Sequence, residues 1–236
     1  MKLIIAPIVC IAIAILFVSS LYVWELLDPK LTILGRDHPA VIKRRFFSVT
    51  CSTIAALFAQ YLITDKVWIV EPTSPANLFI TITQTLSLML GPLFVKVHQE
   101  SISMNMSLIQ FRNIIFAPVL EELVFRQIFA SILLHAGYSQ SVTAVISPIL
   151  FAVAHMHHYT KTHSLSSAFG MALHTCVFGW LAFYFLFRRS VWDAILSHSV
   201  CNWIGLPNSK NLTYSRHLIM AYIGGLVVFS VSIFMR

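Results

Sequence analysis

The sequence predicts an all-α protein, a polytopic membrane bundle of about eight transmembrane helices. Of the 236 residues, 58% are apolar and only 11% are charged, and the mean hydropathy is +0.80. Soluble domains carry roughly 25% charged and about 45 to 50% apolar residues. Long apolar runs recur along the whole chain, and a helix needs about 20 apolar residues to cross a hydrocarbon core about 30 Å thick. Lipid is therefore the expected main solvent, and no stretch remains for a soluble domain.

Eight apolar runs, bounded by Pro, Gly and charged residues, define the expected spans. The runs lie at 3–24, 46–63, 77–95, 111–134, 140–155, 165–187, 191–206 and 217–235. Seven spans is the alternative count, because the fifth and seventh runs are short for a full crossing and would be buried, tilted or broken. We interpret the first run as a retained helix, since it is longer than the apolar region of a signal peptide. Residues 1–236 are expected to form one transmembrane domain.

The charge pattern indicates topology and does not favour nucleic-acid binding. The net charge is +7 and the isoelectric point about 9.4, but Lys and Arg lie singly or in small groups between apolar runs. If both termini face away from the cytoplasm, ten Lys and Arg fall in cytoplasmic loops and five on the opposite side. The positive-inside rule favours this orientation. The four cysteines show no paired spacing, so neither a disulfide framework nor a zinc knuckle is indicated.

The fourth run places Glu121, Glu122 and Arg126 in the middle of an otherwise apolar stretch. An ionised side chain at the centre of a membrane helix costs about 2.5 to 3.5 kcal/mol on insertion scales, so each needs a partner or a function. On a helix, Glu122 and Arg126 are about 40° apart in projection, whereas Glu121 is turned by about 100° from Glu122. We therefore expect a supporting salt bridge between Glu122 and Arg126, and a functional Glu121. The alternative is an ion cluster that only locks helices together.

Two further motifs place polar side chains at the ends of the short fifth and seventh runs. In FAVAHMHH, His155 follows an apolar turn, while loop solvation or headgroup contact explains His157 and His158 equally well. In HSVCN, the side chains of His198 and Asn202 are four residues apart and share one helix face. Their ring and amide donors are suited to stabilise an oxyanion. Hydrogen bonding between helices is the alternative for this pair.

These residue types together favour hydrolysis by activated water. A buried, incompletely paired carboxylate is suited to take a proton from water near neutral pH, so Glu121 is the expected general base. His155 would hold the same water, and His198 and Asn202 would face the oxyanion formed at a peptide carbonyl. The residues alone leave the tasks of His155 and His198 interchangeable. Arg126 is also a candidate to bind a substrate carboxylate.

Covalent and metal-dependent chemistry are less well supported. The sequence has no Ser in a G-x-S-x-G elbow, and no Cys accompanies the polar set. A catalytic zinc is an alternative, because His and Glu are zinc ligands, but HExxH is absent and three helices would have to supply the ligands. We expect hydrolysis without a metal or another cofactor.

The three motifs resemble those of a known family. EELVFR at 121–126 matches EExxxR, FAVAH at 151–155 matches FxxxH, and HSVCN at 198–202 matches HxxxN. In this order they are similar to the type II CAAX prenyl endopeptidases of the ABI membrane-protease family. The resemblance covers about 80 residues, and the first 110 residues contain no motif that contributes to it.

The resemblance implies a substrate and a location. It implies cleavage after the prenylated cysteine of a C-terminal CaaX sequence, as in Ras-like small GTPases, with release of the aaX tripeptide. It implies a multi-pass protein of the endoplasmic reticulum membrane whose active site opens to the cytosol. Glu121 and His155 would act on the water, and His198 and Asn202 on the oxyanion, without a metal.

Two functional alternatives stay open from the sequence. The first is an ABI-type membrane protease with a different peptide substrate. The second is a proton-coupled transporter in which the glutamates, Arg126 and His155 form a relay, although the paired halves common in transporters are not evident. A non-catalytic scaffold would leave the second glutamate and the HxxxN pair unexplained.

Overall fold

The chain forms a bundle of helices, seen in a computed structural model that describes residues 2–65, 72–99, 106–156, 165–205 and 216–234. No strand occurs in these ranges, which confirms the predicted all-α class. His157 and His158 lie outside them. The helices are α1 Lys2–Ser20, α2 Val23–Leu27, α3 Lys30–Leu34, α4 Pro39–Thr64, α5 Pro75–Leu88, α6 Leu90–Gln99, α7 from Leu108 to His135, α8 Gln140–His155, α9 Leu165–Arg188, α10 Val191–Ile204 and α11 Arg216–Phe234.

Helix α7, which carries the two glutamates, is interrupted twice by wider π-helical turns. It consists of Leu108–Phe111, a π-helical segment Arg112–Phe116, Ala117–Glu122, a second π-helical segment Leu123–Ile128, and Phe129–His135. A capping box between Ser107 and Gln110 starts the helix. Turns of this kind concentrate at functional sites, and here they flank the segment that ends in Glu121 and Glu122.

Length and composition identify four of the described helices as membrane spans. These are α1, α4, α9 and α11, and α5 with α6 provides a fifth as a pair bent by 73°. Helix α8 is apolar but has only 16 residues. The polytopic bundle is therefore confirmed, while the count of eight stays a prediction.

The core of the bundle lies around the second half of α7. Val124, Ile128 and Leu133 are fully buried there, against Cys10 of α1 and Phe151 of α8. The outer helices instead expose many large apolar side chains. An apolar exterior is expected where lipid is the solvent, so the polar residues of α7 are the ones held inside.

The start of α10 is fixed by a buried carboxylate. Asp193 is 0% exposed and accepts hydrogen bonds from Thr73 at 2.7 Å, Thr81 at 2.6 Å and Ser190 at 2.8 Å. One turn later, Ser197 is hydrogen-bonded to Thr85 of α5 at 2.9 Å. These bonds set the rotation of α10 about its axis, and hence the direction in which the next residue, His198, points.

Asp193→Ala is expected to lower the free energy of unfolding by about 2 to 4 kcal/mol, because three hydroxyls, two of them buried, lose their acceptor. Thermal unfolding in detergent measures this loss. Asp28→Ala is the matched control, because Asp28 forms an exposed ion pair with Arg44 at 3.5 Å and such pairs contribute about 0 to 1 kcal/mol. Equal losses in the two variants would contradict the anchoring role of Asp193.

The two adjacent glycines of α11, Gly224 and Gly225, have different surroundings. A Cβ at Gly225 would overlap the carbonyl oxygen of Ser87 and lie 2.8 Å from Cβ of Leu90. At Gly224 nothing lies within 4 Å. Gly225 therefore permits the close approach of α11 to the junction of α5 and α6, and Gly224 does not take part in it.

Gly225→Ala is expected to destabilise the protein by about 1 to 3 kcal/mol, since the added methyl group forces the helices apart. Gly224→Ala is expected to be neutral or to stabilise by up to about 1 kcal/mol through helix propensity. Thermal unfolding of the two variants in the same detergent tests the difference. A Gly224→Ala variant as unstable as Gly225→Ala would show that the close approach is not the reason.

Candidate active site

The four residues predicted to be catalytic line one cavity. Glu121 of α7, His155 of α8, and His198 and Asn202 of α10 all contribute to a cavity of about 690 Å³. This volume lies within the usual range of about 300 to 1,000 Å³ for ligand pockets. The structure thus brings together side chains from three helices that are up to 81 positions apart in sequence.

Glu122 and Arg126 lie behind the wall of this cavity. The expected salt bridge is present, with Arg126 Nε at 3.0 Å from Glu122 Oε2, and both side chains are 0% exposed. The guanidinium carbon of Arg126 lies over the ring of Phe151 at 4.0 Å and over that of Phe178 at 5.6 Å. Aromatic faces attract a cation most strongly where water is excluded.

The enclosed position of Arg126 excludes one of the two roles that the sequence allowed for it. The sequence allowed its guanidinium to bind a substrate carboxylate. That interpretation is wrong, because Arg126 does not line the cavity and its side chain is fully enclosed.

His198 lies between the two glutamates. Its Nδ1 is 2.7 Å from Glu122 Oε1, and its Nε2 is 3.8 Å from Glu121 Oε2. Because a carboxylate accepts, the short contact places the Nδ1 proton toward Glu122. The longer distance exceeds a direct hydrogen bond. Glu122 therefore orients the ring so that Nε2 faces the cavity beside Glu121.

The ring of His155 is oriented by its own helix. Its Nδ1 lies 2.9 Å from the carbonyl oxygen of Phe151, and the two rings are in edge contact with centroids 4.4 Å apart. A carbonyl oxygen only accepts, so Nδ1 carries the proton of the neutral ring and Nε2 is an acceptor. FxxxH spacing thus supplies both the orienting carbonyl and the packing surface.

Asn202 is held by a partner that the motifs did not reveal. Its Nδ2 donates to the backbone carbonyl oxygen of Asn113 at 2.9 Å. Asn113 lies in the first π-helical segment of α7. One N–H of the amide is thereby used to fix the side chain, and the group has a second N–H for a ligand.

Several polar residues at the cavity were not predicted from the sequence. Tyr22, Arg36, Arg45, Arg112 and His174 all line it. They belong to no motif, and only the proximity of Arg112 to the start of the fourth run gave a signal. Within the described ranges, no group of three or more His, Cys, Asp or Glu side chains is arranged to hold a metal ion.

Comparison with known proteins agrees with the geometry. The family model of type II CAAX prenyl endopeptidase Rce1-like matches residues 103–204, which contain every candidate site residue. The chain is 33% identical to the human protein named CAAX prenyl protease 2, over 84% of this chain and 70% of that protein. The chain belongs to the type II CAAX prenyl endopeptidase family.

Other relatives of this prenyl endopeptidase family come from fungi and plants. Identity is 29% to the probable CAAX prenyl protease 2 of Schizosaccharomyces pombe, over 81% of this chain and 78% of that protein. It is 33% to CAAX prenyl protease 2 of Arabidopsis thaliana, over 52% of this chain and 43% of that protein. No solved structure gives a significant match to the chain.

The adjacent glutamates should differ in their contribution to stability. Glu122→Gln is expected to lower the free energy of unfolding by about 3 to 5 kcal/mol, since it leaves the buried Arg126 without a counter-charge. Glu121→Gln is expected to change it by less than about 1 kcal/mol, because the Glu121 side chain lines the cavity and is 20% exposed. Thermal unfolding of both variants in detergent is the measurement. Equal losses would show that Glu121 is also a structural carboxylate.

Proposed function

We propose that this chain is an intramembrane endopeptidase that removes the aaX tripeptide from prenylated CaaX proteins with water activated by Glu121. The supporting observation is that the two adjacent glutamates have different surroundings. Glu122 is fully enclosed and bound to Arg126 and His198, while Glu121 lines the cavity. One carboxylate organises the site and the other is available for proton transfer.

The proposed reaction begins with a water between Glu121 and Nε2 of His155. Glu121 takes one proton, and the hydroxide attacks the carbonyl carbon of the prenylated cysteine. A positioned base of this kind contributes about 10² to 10⁴-fold to the rate. The tetrahedral oxyanion faces the second amide N–H of Asn202 and the ring of His198, which donates from Nε2 in its imidazolium form. Donors at such positions typically contribute about 10² to 10³-fold.

Collapse of this intermediate completes the reaction. The C–N bond breaks, and the leaving amine takes the proton that Glu121 holds. The products are a prenylcysteine carboxylate on the protein and a free aaX tripeptide. No metal or other cofactor enters these steps.

The walls of the cavity suit a lipid-modified peptide. They include Phe17, Val49, Leu88 and Phe116, and apolar side chains form most of the lining. Burial of a prenyl chain is favourable by about 0.8 kcal/mol per CH₂. A membrane-embedded apolar cavity therefore attracts the modified end of the substrate, while the polar residues take its peptide.

The finer features of the proposal follow from the family resemblance and the charge pattern. The substrates include the C-termini of Ras-like small GTPases. We propose the endoplasmic reticulum membrane as its location and one transmembrane domain over residues 1–236. Its active site opens to the cytosol, in line with the excess of Lys and Arg in the loops assigned to that side.

Hydrolysis of a farnesylated CaaX peptide by the detergent-purified protein tests this function. The wild type is expected to release aaX with and without a strong chelator. Glu121→Gln should lower kcat by about 10² to 10⁴-fold, because water loses its base. Asp28→Asn, an exposed residue that does not line the cavity, is the control and should keep full activity.

The alternative functions give different outcomes in the same experiment. A folded wild type that cleaves other membrane peptides but not the CaaX peptide would indicate a different protease substrate. A wild type that cleaves no peptide but moves protons across proteoliposomes would indicate a transporter. Loss of activity with chelator and its return with zinc would overturn the metal-free mechanism.

A further inference from the structure

The cavity wall contains a cluster of three arginines, Arg36, Arg45 and Arg112. Among the residues that the structure describes, their ion-pair partners are two carboxylates: Glu25 binds Arg45, and Asp37 is shared by Arg36 at 3.3 Å and Arg112 at 2.8 Å. Three guanidiniums against two carboxylates leave one positive charge in excess at this part of the cavity. A ligand with a single negative charge would balance it.

Arg112 is held in place by several hydrogen bonds. Its side chain is 14% exposed, whereas that of Arg36 is 43% exposed. Arg112 Nε donates to Asn113 Oδ1 at 2.9 Å, and its Nη1 donates to the carbonyl oxygen of Arg36 at 3.1 Å. These bonds fix the plane of the guanidinium. A fixed planar fork binds a carboxylate with two hydrogen bonds, and here it consists of Nη2 together with the Nη1 hydrogen that Asp37 accepts.

The rise of α7 between Arg112 and Glu121 is comparable with the length of the leaving peptide. Both residues line the cavity and lie nine positions apart on α7, which corresponds to a rise of about 13 Å between their Cα atoms along the helix axis. Three extended residues span about 10 to 11 Å from the scissile carbonyl to the terminal carboxylate. A leaving tripeptide is therefore about as long as the stretch of α7 that separates Glu121 from Arg112.

We propose that Arg112, supported by Arg36 and Arg45, binds the terminal carboxylate of the substrate and so restricts cleavage to the third bond from a free C-terminus. This assignment rests on the proposed function. The terminal carboxylate of the substrate is bound at Arg112, and the scissile carbonyl lies near Glu121. The cavity thereby selects a leaving peptide of three residues. The charged end of the substrate lies at the arginines, away from the apolar walls that take the prenyl chain.

Asp37 already shows that Arg112 binds a carboxylate at this position. The hydrogen bond from Arg112 holds the pKa of Asp37 below its usual range, so this ion pair is present at neutral pH and is lost only as the pH falls through that lowered value. Asp37 is 56% exposed on its side chain. A substrate carboxylate therefore binds Arg112 beside Asp37 or in its place, and no buried ion pair has to be broken.

Paired peptides that differ only at the C-terminus provide the test. A farnesylated CaaX peptide with a free carboxylate is compared with the same peptide ending in a carboxamide. The wild type is expected to favour the acid by about 10-fold or more in kcat/KM, the typical effect of a charge-assisted hydrogen bond. Arg112→Gln is expected to reduce this preference to about 1 to 3-fold, because kcat/KM for the acid falls toward that for the amide. Thermal unfolding of the variant in detergent, compared with the wild type, shows whether it is folded.

Arg44→Gln is the matched control, because Arg44 is an exposed arginine of α4 that does not line the cavity. It should keep the full preference for the acid. Arg112→Lys keeps the charge but loses the planar fork, so its preference should be intermediate. An undiminished preference for the acid in Arg112→Gln, or in Arg112→Lys where the Gln variant does not fold, would overturn the assignment.

The outcomes separate this inference from the proposed function. If the wild type cleaves both peptides equally, the protein is a prenyl endopeptidase and the carboxylate site is wrong. If it cleaves neither, the proposed function itself fails, and the inference fails with it.

Discussion

The buried carboxylate of Glu122 is the interaction on which the rest of the site depends. It binds the guanidinium of Arg126 on its own helix and the ring of His198 on α10. A charge at this depth in a membrane bundle is tolerated only with such partners. Because its two oxygens bind partners on different helices, Glu122 links α7 to α10 and also sets the direction of the histidine Nε2. The Glu122 carboxylate therefore determines both the stability of the bundle and the geometry of the site.

Other hydrogen bonds also fix the position and rotation of α10. Asp193 holds the start of the helix, and Ser197 is tied to Thr85 immediately before His198. At the far end, Asn202 is tied to the carbonyl oxygen of Asn113 in a π-helical turn. The helix is thus held at its beginning, middle and end. Side chains held from several directions keep the geometry that proton transfer and oxyanion binding require.

Arg126 and Arg112 differ in their surroundings and in their roles. Arg126 is enclosed among aromatic rings and serves the structure, while Arg112 lines the cavity and lies near Arg36 and Arg45. Both have a carboxylate partner, but that of Arg126 is buried and that of Arg112 is exposed. Only the exposed pair can exchange its partner at low desolvation cost.

Sequence alone determined the class of the fold and the members of the polar set. Membranes penalise charge so strongly that Glu121, Glu122 and Arg126 stand out within an apolar run. Helical periodicity was sufficient to pair Glu122 with Arg126 and to place His198 and Asn202 on one face. The number of spans was less accessible, because the bend of 73° between α5 and α6 and the π-helical turns of α7 have no simple composition signal.

Only the tertiary structure determined which side chains of different helices are in contact. The bond between His198 and Glu122 joins residues 76 positions apart, and no local pattern encodes a contact of that kind. The same holds for Asn113 as the partner of Asn202, and for three arginines that meet at one cavity from separate segments. Periodicity fixes the direction of a side chain relative to its own helix. Which neighbour it meets depends on how the helices pack, and this packing also enclosed Arg126 and placed Arg112 at the cavity.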